Sequence, residues 1–213
     1  MAYRAGAAGA GIRALGVKRH APAAARNAEP IAAVLAQEMP QQGLVLEIAS
    51  GTGEHAVFMA QRFSQLIWQP SDRDAEGLTS IAAWCEEAGL ANLRTPLALD
   101  AGAPPWPVDG CDAILCINMV HISPWSASEG LMRGAGRLLP DGAPLILYGP
   151  YIEEGVETAA SNMAFDASLK LRDPQWGLRE VGAMDRLAHE NGLYRAARHA
   201  MPANNLMLIY RAR

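Results

Sequence analysis

Five polar clusters punctuate the first 151 residues, each directly after an apolar run. They are Glu47 with Ser50-Gly51-Thr52-Gly53, then Ser71-Asp72, then Asp100, then Asn118 with His121, and last Tyr148-Gly149-Pro150-Tyr151. Carboxylates accept hydrogen bonds from hydroxyl and amino groups and attract cations, and glycines let a backbone turn tightly against a ligand. His121 adds an imidazole whose ordinary titration near pH 6.5 suits a general base; pocket shaping is its structural alternative. The three cysteines, Cys85, Cys111 and Cys116, lack metal-ligand spacing, so no metal site is expected and they read as reduced core thiols.

Two kinds of ligand fit the glycine turn. Gly51-Thr52-Gly53-Glu54-His55-Ala56 satisfies the G-x-G-x-x-G/A fingerprint, and Asp72 follows at about the 20-residue distance of a ribose-binding acid, which permits a nicotinamide or flavin dinucleotide. In a second register, Glu47-Ile48-Ala49-Ser50-Gly51-Thr52-Gly53 resembles the E/D-x-G-x-G-x-G turn of class I S-adenosylmethionine-dependent methyltransferases, with Ala49 in place of the first glycine. Charge favours the second. A pyrophosphate seeks a bare helix N-terminus, and Glu47 beside the turn opposes it. A ligand with an ammonium and a sulfonium welcomes an acid, since unit charges about 4 Å apart attract by roughly 4 kcal/mol at an effective dielectric near 20, before desolvation. On this reading Glu47, Ser50, Gly51, Thr52, Gly53, Asp72, Asp100 and Asn118 bind the cofactor, Asp72 taking the ribose hydroxyls and Asp100 the adenine amino group.

These residues need elements to place them. "EPIAAVLAQEM" predicts a helix with Pro30 in its first turn, followed by the strand "LVLEIA". Ala56, Met59, Ala60 and Phe63 then recur at helical spacing. "LIWQP" reads as a second strand, and Leu78, Ile81, Cys85 and Ala88 as a helix closed by Gly89. "LALD" and "CDAILCIN" read as strands, the latter apolar enough to be covered on both faces. Ser126 and Glu129 have capping-box spacing at the start of another helix. "APLILYG" is a fifth strand, helices follow over about 155–170 and 182–190, and "LYRAARHAM" and "NLMLIYRAR" form a hairpin through "PANN". The alternation implies an α/β fold with a mostly parallel sheet, helices on both faces and a C-terminal β-hairpin. In such sheets ligands bind at the carboxyl ends of the strands, where the polar clusters fall.

With 213 residues, 50% hydrophobic and 19% charged, the chain suits one soluble domain over 18–213, preceded by a flexible Ala/Gly tail over 1–17. A net charge of −4 argues against nucleic acid as a partner, and no apolar run is long enough for a membrane helix. The cysteine usage points to the cytoplasm.

The blocks "RNAEPI", "LEIASGTGEHA", "WQPSD", "INMVHISPW", "LYGPY", "SNMAFDASL", "DPQWGLRE" and "MPANNL" resemble the methyltransferase-like 26 family, a domain of unknown function, from about Lys18 to Arg213. A Tyr-Ser pair and a Glu are usual there where His20, Ala21 and Ala25 stand here. The resemblance implies a Rossmann-like class I methyltransferase fold with seven strands and S-adenosylmethionine binding, but no acceptor. The expected activity is methyl transfer to a small molecule, with a non-catalytic binding module and a nicotinamide-dependent oxidoreductase as alternatives. His121 would be the catalytic base, and Asn27, Tyr148, Tyr151, Asn162, Trp176 and Arg179 would line the acceptor site. The insertion from Asn162 to Arg179 would cap it, with Arg179 selecting an acidic acceptor or else pairing with Glu180 or Asp173.

Overall fold

Strand β1 (Gly43–Ile48) is buried between two parallel neighbours, β2 (Leu66–Asp72) and β4 (Ala113–Ile117). Such a strand has no solvent face, which explains its continuous apolar run around a single carboxylate. A computed structural model describes residues 18–213; the expected tail over 1–17 lies outside the described residues. The sheet has seven strands in the order β3-β2-β1-β4-β5-β9-β8, where β3 is Leu97–Ala98, β5 Pro144–Gly149, β8 Leu193–Met201 and β9 Asn205–Ala212. Only β9 runs against the others, pairing antiparallel with both β5 and β8. Strand order reverses between β1 and β4, so the switch point lies beside the glycine turn.

Two apolar layers flank the sheet. Helices α1 (Pro22–Glu38) and α2 (Glu54–Arg62) pack on one face, with α3 (Ala75–Ala88) beside α2. Helices α4 (Trp125–Leu138) and α6 (Val181–Glu190) pack on the other. The expected helical face of Ala56, Met59, Ala60 and Phe63 is wholly buried, and Gly89 closes α3 with φ 59°, a left-handed conformation glycine adopts without a Cβ penalty.

The structure departs from the sequence reading at several elements. Helix α1 starts at Pro22, so Pro30 lies inside it. The Ala-rich run before Pro30 favours helix, and Glu54 fixes its start by accepting from the Ala21 amide at 2.7 Å. The capping box at Ser126 does not form: α4 begins at Trp125 with Pro124 as N-cap, which places Ser126 within the first turn. The strand expected at "LALD" shrinks to two residues at the sheet edge. Helix α5 (Ala160–Arg172) starts later than expected, and a two-stranded parallel ribbon, β6 (Tyr151–Ile152) with β7 (Arg179–Glu180), brackets it. Strands of two residues are too short to leave a period in sequence.

Candidate active site

The turn after β1 is built on left-handed backbone at Ala49 (φ 56°), Gly51 (φ 61°) and Gly53 (φ 96°). Ala49 holds that conformation with a side chain, at a cost of about 1 kcal/mol or more. Two hydrogen bonds lock the turn to β2: Ser50 N donates to Ser71 O at 2.8 Å, and Ser71 N donates to Ser50 Oγ at 3.2 Å. Ser50 is thus an internal tie. A Cβ on Gly53 would stand 2.9 Å from Ile81 Cα, so the turn can sit against α3 only without one. Thr52 faces Glu54, to which its hydroxyl donates at 3.0 Å.

A cavity of about 700 Å³ opens at the carboxyl ends of β1 to β4. Gly51, Asp72 and Asp100 line it, with Ile48, Leu99, Ile117 and Met119 as apolar wall. Asp72 is nearly buried, and its two carboxylate oxygens accept from the Gly51 amide at 2.8 Å and the Asp74 amide at 3.0 Å. Each oxygen keeps lone-pair capacity, so the carboxylate is fixed by backbone and can still receive hydroxyl donors. Glycine at position 77 permits this, since a Cβ there would stand 3.2 Å from Asp72 Cγ. Asp100 is more exposed; it accepts from Gly102 N at 2.9 Å and lies 3.7 Å from Arg73.

Glu47 does not line this cavity. Its carboxylate turns into the core, where Trp68 Nε1 donates to it at 2.6 Å, and it is 1% exposed. Burial raises its pKa to about 7; hydrogen bonds from Trp68 and Ser50 oppose the shift, and the charge of Asp72 adds to it. Thr52 and Gly53 are also set back from the cavity wall, as is Asn118.

The N-terminus of α2 carries an acid that turns toward the segment before α1 and lines a hollow other than this cavity. Glu54 is the first residue of that helix and accepts from Ala21 N, Thr52 Oγ1 and the His20 ring. Partial burial pushes its carboxyl up, but these three hydrogen bonds prevail and hold it below the ordinary value. The segment before α1 seals the position: Arg19 N donates to Ser80 Oγ at 2.8 Å, and Trp84 Nε1 donates to Arg19 O at 3.1 Å.

After β4 the chain turns at Asn118, whose φ of 62° sends it over the end of β5. His121 follows, buried, with its ring edge-on to Phe165 of α5 at 5.5 Å. Its Nδ1–Cε1 edge lies over Gly149, where a Cβ would come within 3.1 Å of both atoms. Burial, helped by the charge of Arg179, lowers its pKa to about 4, so the ring is neutral at pH 7 and a weak proton acceptor, and it lines neither the large cavity nor the smaller hollow described below. No described residue hydrogen-bonds to its ring nitrogens.

The six residues read as acceptor-binding fall in four places. Asn27 and Tyr148 interact beneath α1, where Asn27 Oδ1 also meets His55 Nε2 at 2.7 Å. Tyr151 and Asn162 border a separate, smaller hollow over the end of β8 and the start of β9. Trp176 stands at the mouth of the large cavity. Arg179 anchors two loops, and it makes no ion pair with Glu180 or Asp173, the alternative its sequence neighbours offered. Its guanidinium donates to the carbonyls of Val120 (3.2 Å), Ser123 (2.6 Å) and Gln175 (3.0 Å). These bonds use Nε and Nη2, and Nη1 donates to no described residue. Arg179 joins the loop after β4 to the loop before β7, and Gly177 N reinforces the joint by donating to His121 O at 3.0 Å.

Sequence reasoning missed His55, Glu54, Arg19 and Phe165. The first two sit inside the glycine block and were readable as its extension. Arg19 and Phe165 reach the site only through folding of distant segments.

A protein-family model described as "Protein of unknown function (DUF938)" matches residues 18–212. The chain belongs to this family. Solved structures place the family member's fold among methyltransferases. The mitomycin 7-O-methyltransferase MmcR is 16% identical with a TM-score of 0.76, covering 90% of this chain and 54% of that one. An O-methyltransferase family 2 protein from Planctomyces limnophilus, solved in complex with apigenin, is 18% identical with a TM-score of 0.74, covering 90% and 60%. The calicheamicin-biosynthesis methyltransferase CalO1, in its SAH-bound form, is 16% identical with a TM-score of 0.69, covering 86% and 54%. The chain thus spans little more than half the length of these proteins, and the likeness shows an α/β fold of the Rossmann-like methyltransferase type. Among the described residues no helix is long and apolar enough to cross a membrane.

Proposed function

We propose that the protein is an S-adenosylmethionine-dependent methyltransferase acting on a small-molecule acceptor. The observation that carries this reading is the cavity at the switch point, with the carboxylates of Asp72 and Asp100 in its wall. Such a site suits a ligand with hydroxyls and positive charge and disfavours a pyrophosphate. The resemblance to the methyltransferase-like 26 blocks and the methyltransferase-type fold support it, and buried free thiols at Cys111 and Cys116 support a cytoplasmic setting.

Asp72 would hold the ribose hydroxyls, Asp100 the adenine edge, and the Gly51 turn the amino-acid end. When bound, the cofactor supplies an electrophilic methyl carbon on a positively charged sulfur. His121 would be the candidate base, with burial and the charge of Arg179 keeping its ring neutral but also making it a weak one. Arg179 would position His121 and the mouth of the cavity by fixing the loops on which they ride.

Titration calorimetry tests the reading directly. S-adenosylhomocysteine should bind with a one-to-one stoichiometry and NADH should not; tight NADH binding without S-adenosylhomocysteine binding would refute it. A turnover screen of metabolite extracts with labelled methyl donor then separates an enzyme from a non-catalytic binder.

A further inference from the structure

Residues 18–21 run from α3 to the first residue of α2. Lys18 Nζ lies 2.6 Å from Glu87, Arg19 N donates to Ser80 Oγ at 2.8 Å, and Ala21 N donates to Glu54 at 2.7 Å. Ser80 Oγ donates in turn to Thr52 O at 2.7 Å, so a single hydroxyl ties the Arg19 backbone to the glycine turn. The Arg19 side chain, half-exposed, lines the large cavity. Its Nη1 donates to Asp74 Oδ2 at 3.2 Å, while Nε and Nη2 donate to no described residue.

The proposed cofactor brings one group that the site as described does not answer. Its amino-acid end carries a carboxylate beside the ammonium, and the acids of the cavity wall suit only the second. The glycine turn offers an anion little. Gly51 N is taken by Asp72 at 2.8 Å, and Gly53 N by Ser50 O at 3.1 Å. The first turn of α2 lines a different hollow. Among the described residues the cavity wall holds two cations, Arg19 and Arg73, and Arg73 lies 3.7 Å from Asp100, the acid proposed for the adenine edge. Arg19 is the cation tied to the glycine turn, on which the amino-acid end is placed. Its free Nε–Nη2 edge presents two parallel donors, the geometry that grips a carboxylate in bidentate fashion.

We infer that Arg19 receives the carboxylate of the cofactor's amino-acid end, which makes residues 18–21 part of the binding site. The inference rests on the S-adenosylmethionine reading and adds to it a residue outside the glycine block.

Two ligands that differ at this one group test it by titration calorimetry on the full chain. They are S-adenosylhomocysteine and S-adenosyl-3-thiopropylamine, which keeps the nucleoside, the sulfur and the ammonium and lacks the carboxylate. The parent should bind the first about tenfold more tightly. Arg19→Met, at a half-exposed position, should keep a native thermal melt, bring S-adenosylhomocysteine down to the affinity of the decarboxylated ligand and leave the latter unchanged. Equal or tighter binding of the decarboxylated ligand by the parent overturns the inference. So does a gap that survives in Arg19→Met, which gives the carboxylate to another group. Equal weakening of both ligands by Arg19→Met overturns it too, and reduces Arg19 to a tie for its segment. In each of these cases S-adenosylhomocysteine still binds the parent and the cofactor reading stands. If the parent binds neither ligand, that reading fails and the inference falls with it.

Discussion

Replacing Glu47 by Gln should stabilise the protein at neutral and alkaline pH. The carboxyl is 1% exposed, and burial lifts its pKa from 4.5 to about 7 despite the bond from Trp68. A folded-state value above the unfolded one means that the folded protein binds the proton more tightly. The penalty for ionising Glu47 is therefore absent below about pH 4.5, grows as pH rises and is complete above about pH 7. At about 1.36 kcal/mol per pH unit this amounts to about 3 kcal/mol. Glutamine keeps an oxygen to accept from Trp68 and carries no charge, so most of the penalty disappears. Urea unfolding of parent and Glu47→Gln should give a stability difference near zero at pH 4.5 that rises by about 1–3 kcal/mol in favour of the variant by pH 8. The difference must be read and not the parent curve. His55 and His121 both have pKa values lowered to about 4 by burial, and their contribution rises with pH between about 4 and 6.5, masking the fall from Glu47. A variant-minus-parent difference that stays flat from pH 4.5 to pH 8 would refute the account.

His121 should remain neutral down to about pH 5 in an NMR titration of its ring protons, and a midpoint near 6.5 would show that burial does not govern it. Asp72→Asn should lower S-adenosylhomocysteine affinity by about tenfold or more in calorimetry while circular dichroism stays native; unchanged affinity would remove Asp72 from the ribose role. Arg179→Met leaves three carbonyls without their donor, so unfolding should be easier by about 1–3 kcal/mol and cofactor affinity should fall with it, because Ser123 and Trp176 border the cavity. Gly130→Ala would place a Cβ 2.1 Å from Ala101 O, a backbone atom at the cavity wall, and should cost about 1–3 kcal/mol in a thermal melt and weaken cofactor binding.

Much of the fold was legible because its signals are local. Continuous apolar runs marked β1, β4 and β5, and helical spacing marked α2 and α3, since a side chain's burial repeats with the backbone period. The glycine block and the acid after β2 announced a ligand turn for the same reason: a tight approach needs residues without a Cβ at fixed positions in one short segment. What the sequence by itself determined is therefore the order of elements and the carboxyl edge at which chemistry is placed. Side-chain direction was decided only by tertiary structure. Glu47 and Asp72 look alike as acids at strand ends, yet one turns to Trp68 in the core and the other faces the cavity. Arg179 reads as a free cation among apolar neighbours until three carbonyls, two of them more than fifty positions away, converge on it. Asn162 acquires meaning only where the β8–β9 turn reaches it. Each of these outcomes depends on contacts between segments remote in the chain, and whether a polar group faces a ligand or a neighbour is set by which donors and acceptors the fold brings within hydrogen-bonding distance.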